Sequence, residues 1–157
     1  MTARQSVQRF VLRVHQAIYE LSGGFVGHHL IGVPSLLLRT TGRRTGRVRT
    51  TALIYARDGA GYVLVASNHG LGRDPAWLLN IRADPTVEIQ VGRRRERRLG
   101  RVVEKNDPDY GRLWQLVNEG NHHRYEGYQA SSGRPIPLVV VSPAVPPPAV
   151  PPTAAIR

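Results

Sequence analysis

The stretch Thr40-Thr41-Gly42-Arg43-Arg44-Thr45-Gly46-Arg47-Val48-Arg49-Thr50-Thr51 holds the side chains best suited to chemistry. Arg39, Arg43, Arg44, Arg47 and Arg49 gather positive charge there with no acid among them. Glycine lets backbone N–H groups approach an anion, threonine hydroxyls add donors, and arginine grips phosphate or carboxylate through a two-pronged fork. The Gly-x-x-x-x-Gly-Lys-Ser/Thr spacing of a P-loop is absent. A basic hairpin turn facing water has the same composition, so local chemistry leaves both readings open.

A second basic run, Arg93, Arg94, Arg95, Arg97, Arg98 and Arg101, is interrupted by the acid Glu96. Its alternation suggests a strand with one charged face, and a solvated edge strand protected by its charge is the plainer account. Tyr125-Glu126-Gly127-Tyr128-Gln129 reads as a polar loop before the last strand. Its tyrosines could cover an aromatic ligand, or simply anchor the loop. The paired histidines His28-His29 and His122-His123 point their rings apart on any regular element, so no metal site is expected. No Ser stands in a Gly-x-Ser-x-Gly elbow, which argues against a hydrolytic triad.

What must position these groups is a chain of 157 residues, the length of one domain. It has no cysteine, which excludes disulfides, thiolate nucleophiles and Cys-ligated metals. Hydrophobic content of 41% and charged content of 21% are those of a globular domain. The net charge of +11 favours phosphates, polycarboxylates or anionic lipid as partners. No apolar run reaches the ~18 to 20 residues of a bilayer span, and the N-terminus lacks the pattern of a secretory signal. The chain therefore reads as cytoplasmic.

Val7, Phe10, Val11, Val14, Ile18 and Leu21 make one helical face, stopped at Ser22-Gly23-Gly24. Residues 1–24 thus form an amphipathic helix that either packs on the domain or lies on the inner face of the plasma membrane. Strands are expected over residues 35–40, 49–57, 62–67 and 86–91, in a partner ending near Val103, and over residues 137–142. Asp74-Pro75 and Asp107-Pro108 each offer a capping carboxylate followed by a helix-opening proline. They predict helices over residues 75–82 and 108–119. Residues 143–157 read as a solvated proline-rich tail. Short links between strands favour a mostly antiparallel barrel over residues 25–142, with helices packed outside.

At these residues the chain resembles the deazaflavin (coenzyme F-420)-dependent nitroreductases and quinone reductases of actinobacteria. The matching blocks run in order: Leu38 to Thr51, Ala52 to Asp58, Tyr62 to Asn68, Asp74 to Asn80, Asp84 to Val91 and Tyr125 to Val140. The resemblance implies a split β-barrel like that of FMN-binding reductases. It implies that Arg43, Arg44, Thr45 and Arg49, with Thr50 and Thr51 alongside, bind the coenzyme's phosphate and oligoglutamate tail. Ser67 and Asn68 would lie near the deazaflavin ring, and Trp77 and Asn80 would line the cofactor groove. Tyr125 and Tyr128, with Ser67, would form the catalytic pocket over the ring, with Tyr55 a weaker candidate. The implied reaction is hydride transfer to a quinone, nitroimidazole or similar activated acceptor. The loop His69-Gly70-Leu71-Gly72-Arg73 departs from the family's usual composition.

Three rivals remain at this point, one of them a purely structural membrane-surface protein held by the N-terminal helix. An FMN-dependent split-barrel oxidoreductase could seat its phosphate on the same arginine loop. A nucleic-acid-binding protein would suit the charge, but aromatics are only 6% and no helix-turn-helix or RNP-like motif appears, so specific nucleic-acid recognition is not expected. A homodimer is compatible with such a barrel but not required by it.

Overall fold

A computed structural model describes residues 29–30 and 33–144. The expected helix over residues 7–21 lies outside the described residues, as does the proline-rich stretch from residue 145 onward.

Seven strands follow the alternation of apolar and polar side chains. They are β1 (His29–Leu30), β2 (Val33–Thr41), β3 (Val48–Asp58), β4 (Gly61–Val65), β5 (Thr86–Val91), β6 (Arg94–Val103) and β7 (Leu138–Pro143). The sheet order is β1-β2-β3-β4-β7-β6-β5, all neighbours are antiparallel, and β2 also pairs with β5. That last pairing, centred on Leu38 opposite Ile89, closes β2 to β7 into a barrel of six strands. β6 pairs with β5 on one side and β7 on the other, so the basic run is not an edge strand. Its charge occupies both faces, not the one expected: Arg95, Arg97 and Arg101 meet solvent, while Arg94, Glu96 and Arg98 stand opposite Val91, Ile89 and Val87 on the inner side.

The barrel interior holds Leu36, Leu38, Tyr55, Tyr62, Leu64, Val87, Ile89, Val139 and Val141. Burying each of these side chains stabilises the fold by roughly 1.5–3 kcal/mol. Helix α1 (Ala76–Ala83) adds Trp77, Leu78 and Ile81 to the same core. Helices α2 (Tyr110–Glu119) and α3 (Arg124–Ser132) pack outside, where Tyr110, Leu113, Val117 and Tyr125 cover Val63, Val65 and Leu138. The five residues of β4 are all buried because one face looks into the barrel and the other under these helices.

Two details differ from the sequence reading. Neither expected aspartate caps its helix: Pro75 and Asp109 occupy the N-cap positions, without a side-chain capping bond. Asp74 is instead paired with Arg82 and with Arg134, at 2.9 Å in the latter case. Asp107 accepts the Asp109 N–H and a bond from Arg101. Arginines compete for both carboxylates: Arg82 and the distant Arg134 for Asp74, and Arg101 for Asp107. The second difference is α3 itself, where residues 125–129 are helical and not loop.

Candidate functional site

The β2–β3 connection is a closed, rigid turn. Gly42 donates to Arg47 O at 2.8 Å, while Thr45 and Gly46 donate back to Gly42 O. Gly46 sits at φ 65°, a left-handed conformation that a side chain would strain. Arg43, Arg44, Thr45, Arg47 and Arg49 are all exposed on or beside this turn. None of these four arginines has a carboxylate within ion-pairing distance among the described residues. The Arg39 guanidinium, by contrast, binds Glu88 at 3.2 Å and Gln90 at 3.0 Å on the outer barrel face. It therefore stands apart from the other four.

Asn80 seats the turn on α1. Its side-chain N–H donates to Thr40 Oγ1 at 3.0 Å, and its Oδ1 accepts the Arg43 backbone N–H at 3.2 Å. The Arg43 guanidinium approaches the same oxygen at 3.4 Å. Asn80 is buried, so losing it would strand two polar partners.

Strand alternation divides the threonines. Arg49 lies opposite Thr40 and Thr51 opposite Leu38, so both project toward the barrel's inner face. Thr50 lies opposite Arg39 and projects outward. The β3 strand also overhangs its neighbour. Only Tyr55–Asp58 pair with β4, whereas Val48–Ile54 pair, among the described strands, with β2 alone. This overhang leaves a notch in the barrel wall, bounded on the other side by the segment that follows β4.

That segment carries Ser67, buried, and Asn68, half-buried. Asn68 and His69 adopt φ 46° and 58°, a conformation uncommon for any residue with a side chain and more frequent for asparagine and histidine. Gly70, at φ 76°, packs against α3 so closely that a Cβ there would lie 2.4 Å from Ser131 Oγ. The His69 and Tyr128 rings meet edge to face with centroids 6.4 Å apart, and Tyr125 follows at 6.3 Å from Tyr128. Arg134 straps the segment down: its guanidinium donates to Ala66 O and Arg73 O, both at 3.1 Å, and pairs with Asp74. The sequence reading missed Arg134. Only its partners Ala66, Arg73 and Asp74, more than fifty residues upstream, reveal what it does.

The proposed site residues thus form two groups. One is Arg43, Arg44, Thr45, Arg49, Thr51 and Asn80 at the β2–β3 turn. The other is Ser67, Asn68, Tyr128 and Tyr125 around the segment after β4. Trp77 belongs to neither surface, because its ring fills the barrel core at 6% exposure. Tyr55 is likewise in the core, edge to face with Tyr62. Tyr125 is buried among α2, α3 and β4, and that burial pushes its hydroxyl well above the ordinary tyrosine range. Tyr128 is half-buried beside it. Among the described residues, no group of three His, Asp or Glu side chains could hold a metal ion.

Comparison with known proteins bears directly on this arrangement. The family model described as F420H(2)-dependent quinone reductase matches residues 11–143. A curated F420H(2)-dependent quinone reductase of Mycobacterium tuberculosis is 51% identical over 133 residues, covering 84% of this chain and 89% of that protein. Among solved structures, an F420-H2 dependent reductase superposes with a TM-score of 0.62 at 32% identity, covering 69% of this chain and 94% of the other. A second structure, described as a domain-swapped dimer, gives a TM-score of 0.64 at 28% identity, covering 88% of this chain and 96% of the other.

Proposed function

Because this chain belongs to the F420H(2)-dependent quinone reductase family, we propose that it is an oxidoreductase passing a hydride from reduced coenzyme F-420 to a quinone. The observation that carries this reading is the arginine turn. Four exposed guanidinium groups stand there on a backbone-closed loop, tied to α1 through Asn80 and without a carboxylate partner among the described residues. Such a cradle fits a phosphate followed by a run of carboxylates. When bound, the deazaflavin supplies the hydride chemistry.

The chain's own residues bind, orient and exclude water. Arg43, Arg44, Thr45 and Arg49 hold the anionic tail, and Asn80 fixes the backbone that presents them. Thr51 on the inner face and Ser67 and Asn68 across the notch border the ring. Thr50, on the outer face of β3, supports the strand and not the ligand. Trp77 holds α1 against the barrel. Tyr128, half-buried beside His69, closes the acceptor pocket and offers a hydroxyl to the reduced oxygen, while the more deeply buried Tyr125 backs it. Nitroimidazoles and other activated acceptors of similar shape fall within the same pocket.

Lipid-soluble quinones and the net charge of +11 support contact with an anionic membrane surface. Among the described residues no helix is long and apolar enough to cross a membrane. Pairing of two copies is a further part of the proposal, supported by the neighbour described as a domain-swapped dimer.

The test is oxidation of reduced coenzyme F-420 by a menaquinone analogue, followed spectrophotometrically beside a parallel titration with FMN. Acceptor-dependent oxidation, abolished in an Arg43→Ala/Arg44→Ala variant, is the expected result. Tight FMN binding with no response to the deazaflavin would overturn the reading in favour of a flavin enzyme.

A further inference from the structure

The opposite end of the barrel holds a second feature that the hydride reaction does not use. From Val48 to Asp58, β3 climbs ten residue steps, roughly 33 Å at ~3.3 Å each. The β3–β4 and β5–β6 turns therefore lie far from the arginine turn. Between them opens a cavity of about 320 Å³. Tyr62, Ile89 and Val91 make its apolar floor, while Arg57 and Arg94 stand at its mouth.

The wall is a built ionic structure. Glu96 accepts from Arg98 Nε at 2.9 Å and pairs with Arg94. Arg98 also donates to Ala60 O at 2.8 Å, and its side chain is only 11% exposed. The Arg57 and Arg98 guanidinium carbons lie 5.0 and 5.4 Å from the centroid of the Tyr62 ring. Three guanidinium groups thus face one carboxylate. Arg98 holds one oxygen of that carboxylate and Arg94 Nε the other, whereas Arg57 has no acid within ion-pairing distance among the described residues. A merely structural clamp would need Arg94, Arg98 and Glu96, not a further unpaired cation, Arg57, at an open mouth where the Arg94 Nη groups are also exposed.

We propose that this far end of the barrel binds a small amphipathic anion, with a single carboxylate or phosphate head taken by Arg57 and the free Nη groups of Arg94 and an apolar body lying against the half-buried Val91, beside Tyr62 and Ile89. A cavity of this volume sits at the small end of ligand pockets.

Calorimetry and amide chemical shifts of the full chain test this with octanoate, octyl phosphate, octanol and inorganic phosphate. Octanoate or octyl phosphate should bind saturably, shift amides at residues 57–62 and 89–98, and bind about tenfold more tightly than octanol or inorganic phosphate. The better of the two identifies the head group. Arg57→Gln should weaken that binding about tenfold and Arg94→Gln about threefold, each leaving affinity for coenzyme F-420 unchanged. Octanol binding as tightly as both anions, shifts confined to residues 42–49, or full affinity in both variants would overturn the proposal.

Discussion

At the β2–β3 end of the barrel, Arg43, Arg44, Arg47 and Arg49 carry no carboxylate partner among the described residues, and their backbone is held by a closed turn and by Asn80. At the β3–β4 end, Arg94 and Arg98 share Glu96, and Arg57 and Arg98 lie over Tyr62. The two regions look alike in composition, yet one presents its charge outward on a closed loop and the other ties Arg98 and Arg94 to a carboxylate in the wall and leaves Arg57 unpaired. Electrostatic attraction for a long polyanion follows from the first arrangement. From the second follow local stability and, at its mouth, a smaller and more selective attraction. Counting arginines does not separate these cases; asking which guanidinium groups already have acceptors does.

The comparison breaks most readily at the first end. Arg43→Ala/Arg44→Ala should weaken coenzyme binding by about 3–4 kcal/mol, two to three orders of magnitude, at the scale of charge-assisted bonds. Fluorescence titration measures it, and thermal stability should be unchanged. Asn80→Ala comes next. It leaves Thr40 and the Arg43 backbone without their partner, and should cost about 2 kcal/mol of stability together with about a tenfold loss of coenzyme affinity. At the far end, Glu96→Gln should lower unfolding free energy by about 1–2 kcal/mol, because Arg98 loses its charged acceptor, while coenzyme affinity stays put. An equal loss of coenzyme affinity there would erase the distinction between the ends.

A pH series supplies a baseline shared by both ends. Tyr110 donates to Ile136 O at 2.8 Å, and burial, reinforced by Glu104, pushes its hydroxyl up to about 12. The unfolded chain releases that proton near pH 10 and the folded chain only near pH 12. Stability is therefore complete below pH 10 and falls by about 1 kcal/mol per unit between those values. Denaturant unfolding at pH 8 and pH 11 should show the slope, and Tyr110→Phe should flatten it. The smallest expected effect belongs to Tyr128→Phe, a fall in kcat of about threefold to tenfold, or about 1 kcal/mol, with coenzyme affinity unchanged. Tyr125→Phe, in the core, should move stability more than turnover.

Most strands were legible because their alternation is local. Thr86–Val91 emerged with its predicted bounds, since Val87 and Ile89 face the core and Glu88 faces out. Helix α3 was hidden. Its inward face offers little beyond Tyr125, Tyr128 and Ser132, and it is bracketed by left-handed His123 and Gly133, so it lacks the apolar stripe by which helices announce themselves. The place of β6 was hidden for another reason. Whether a basic strand is an edge depends on β6 meeting β7, a pairing between residues about forty positions apart. At the candidate site, the arginine turn was visible from composition. The strap formed by Arg134, the outward turn of Thr50 and the burial of Trp77 depended on register and long-range packing.

The last described strand, β7, inserts between β4 and β6. Until residues 138–143 take their place, a growing chain holds one open sheet, β4-β3-β2-β5-β6, whose two rims have nothing to pair with. Acquisition of the native state must therefore wait for a late, distant docking event, which places this barrel among slow folders limited by topology. During synthesis the incomplete intermediate is the species most prone to mispairing, so chaperone dependence should be greatest just before that final segment emerges.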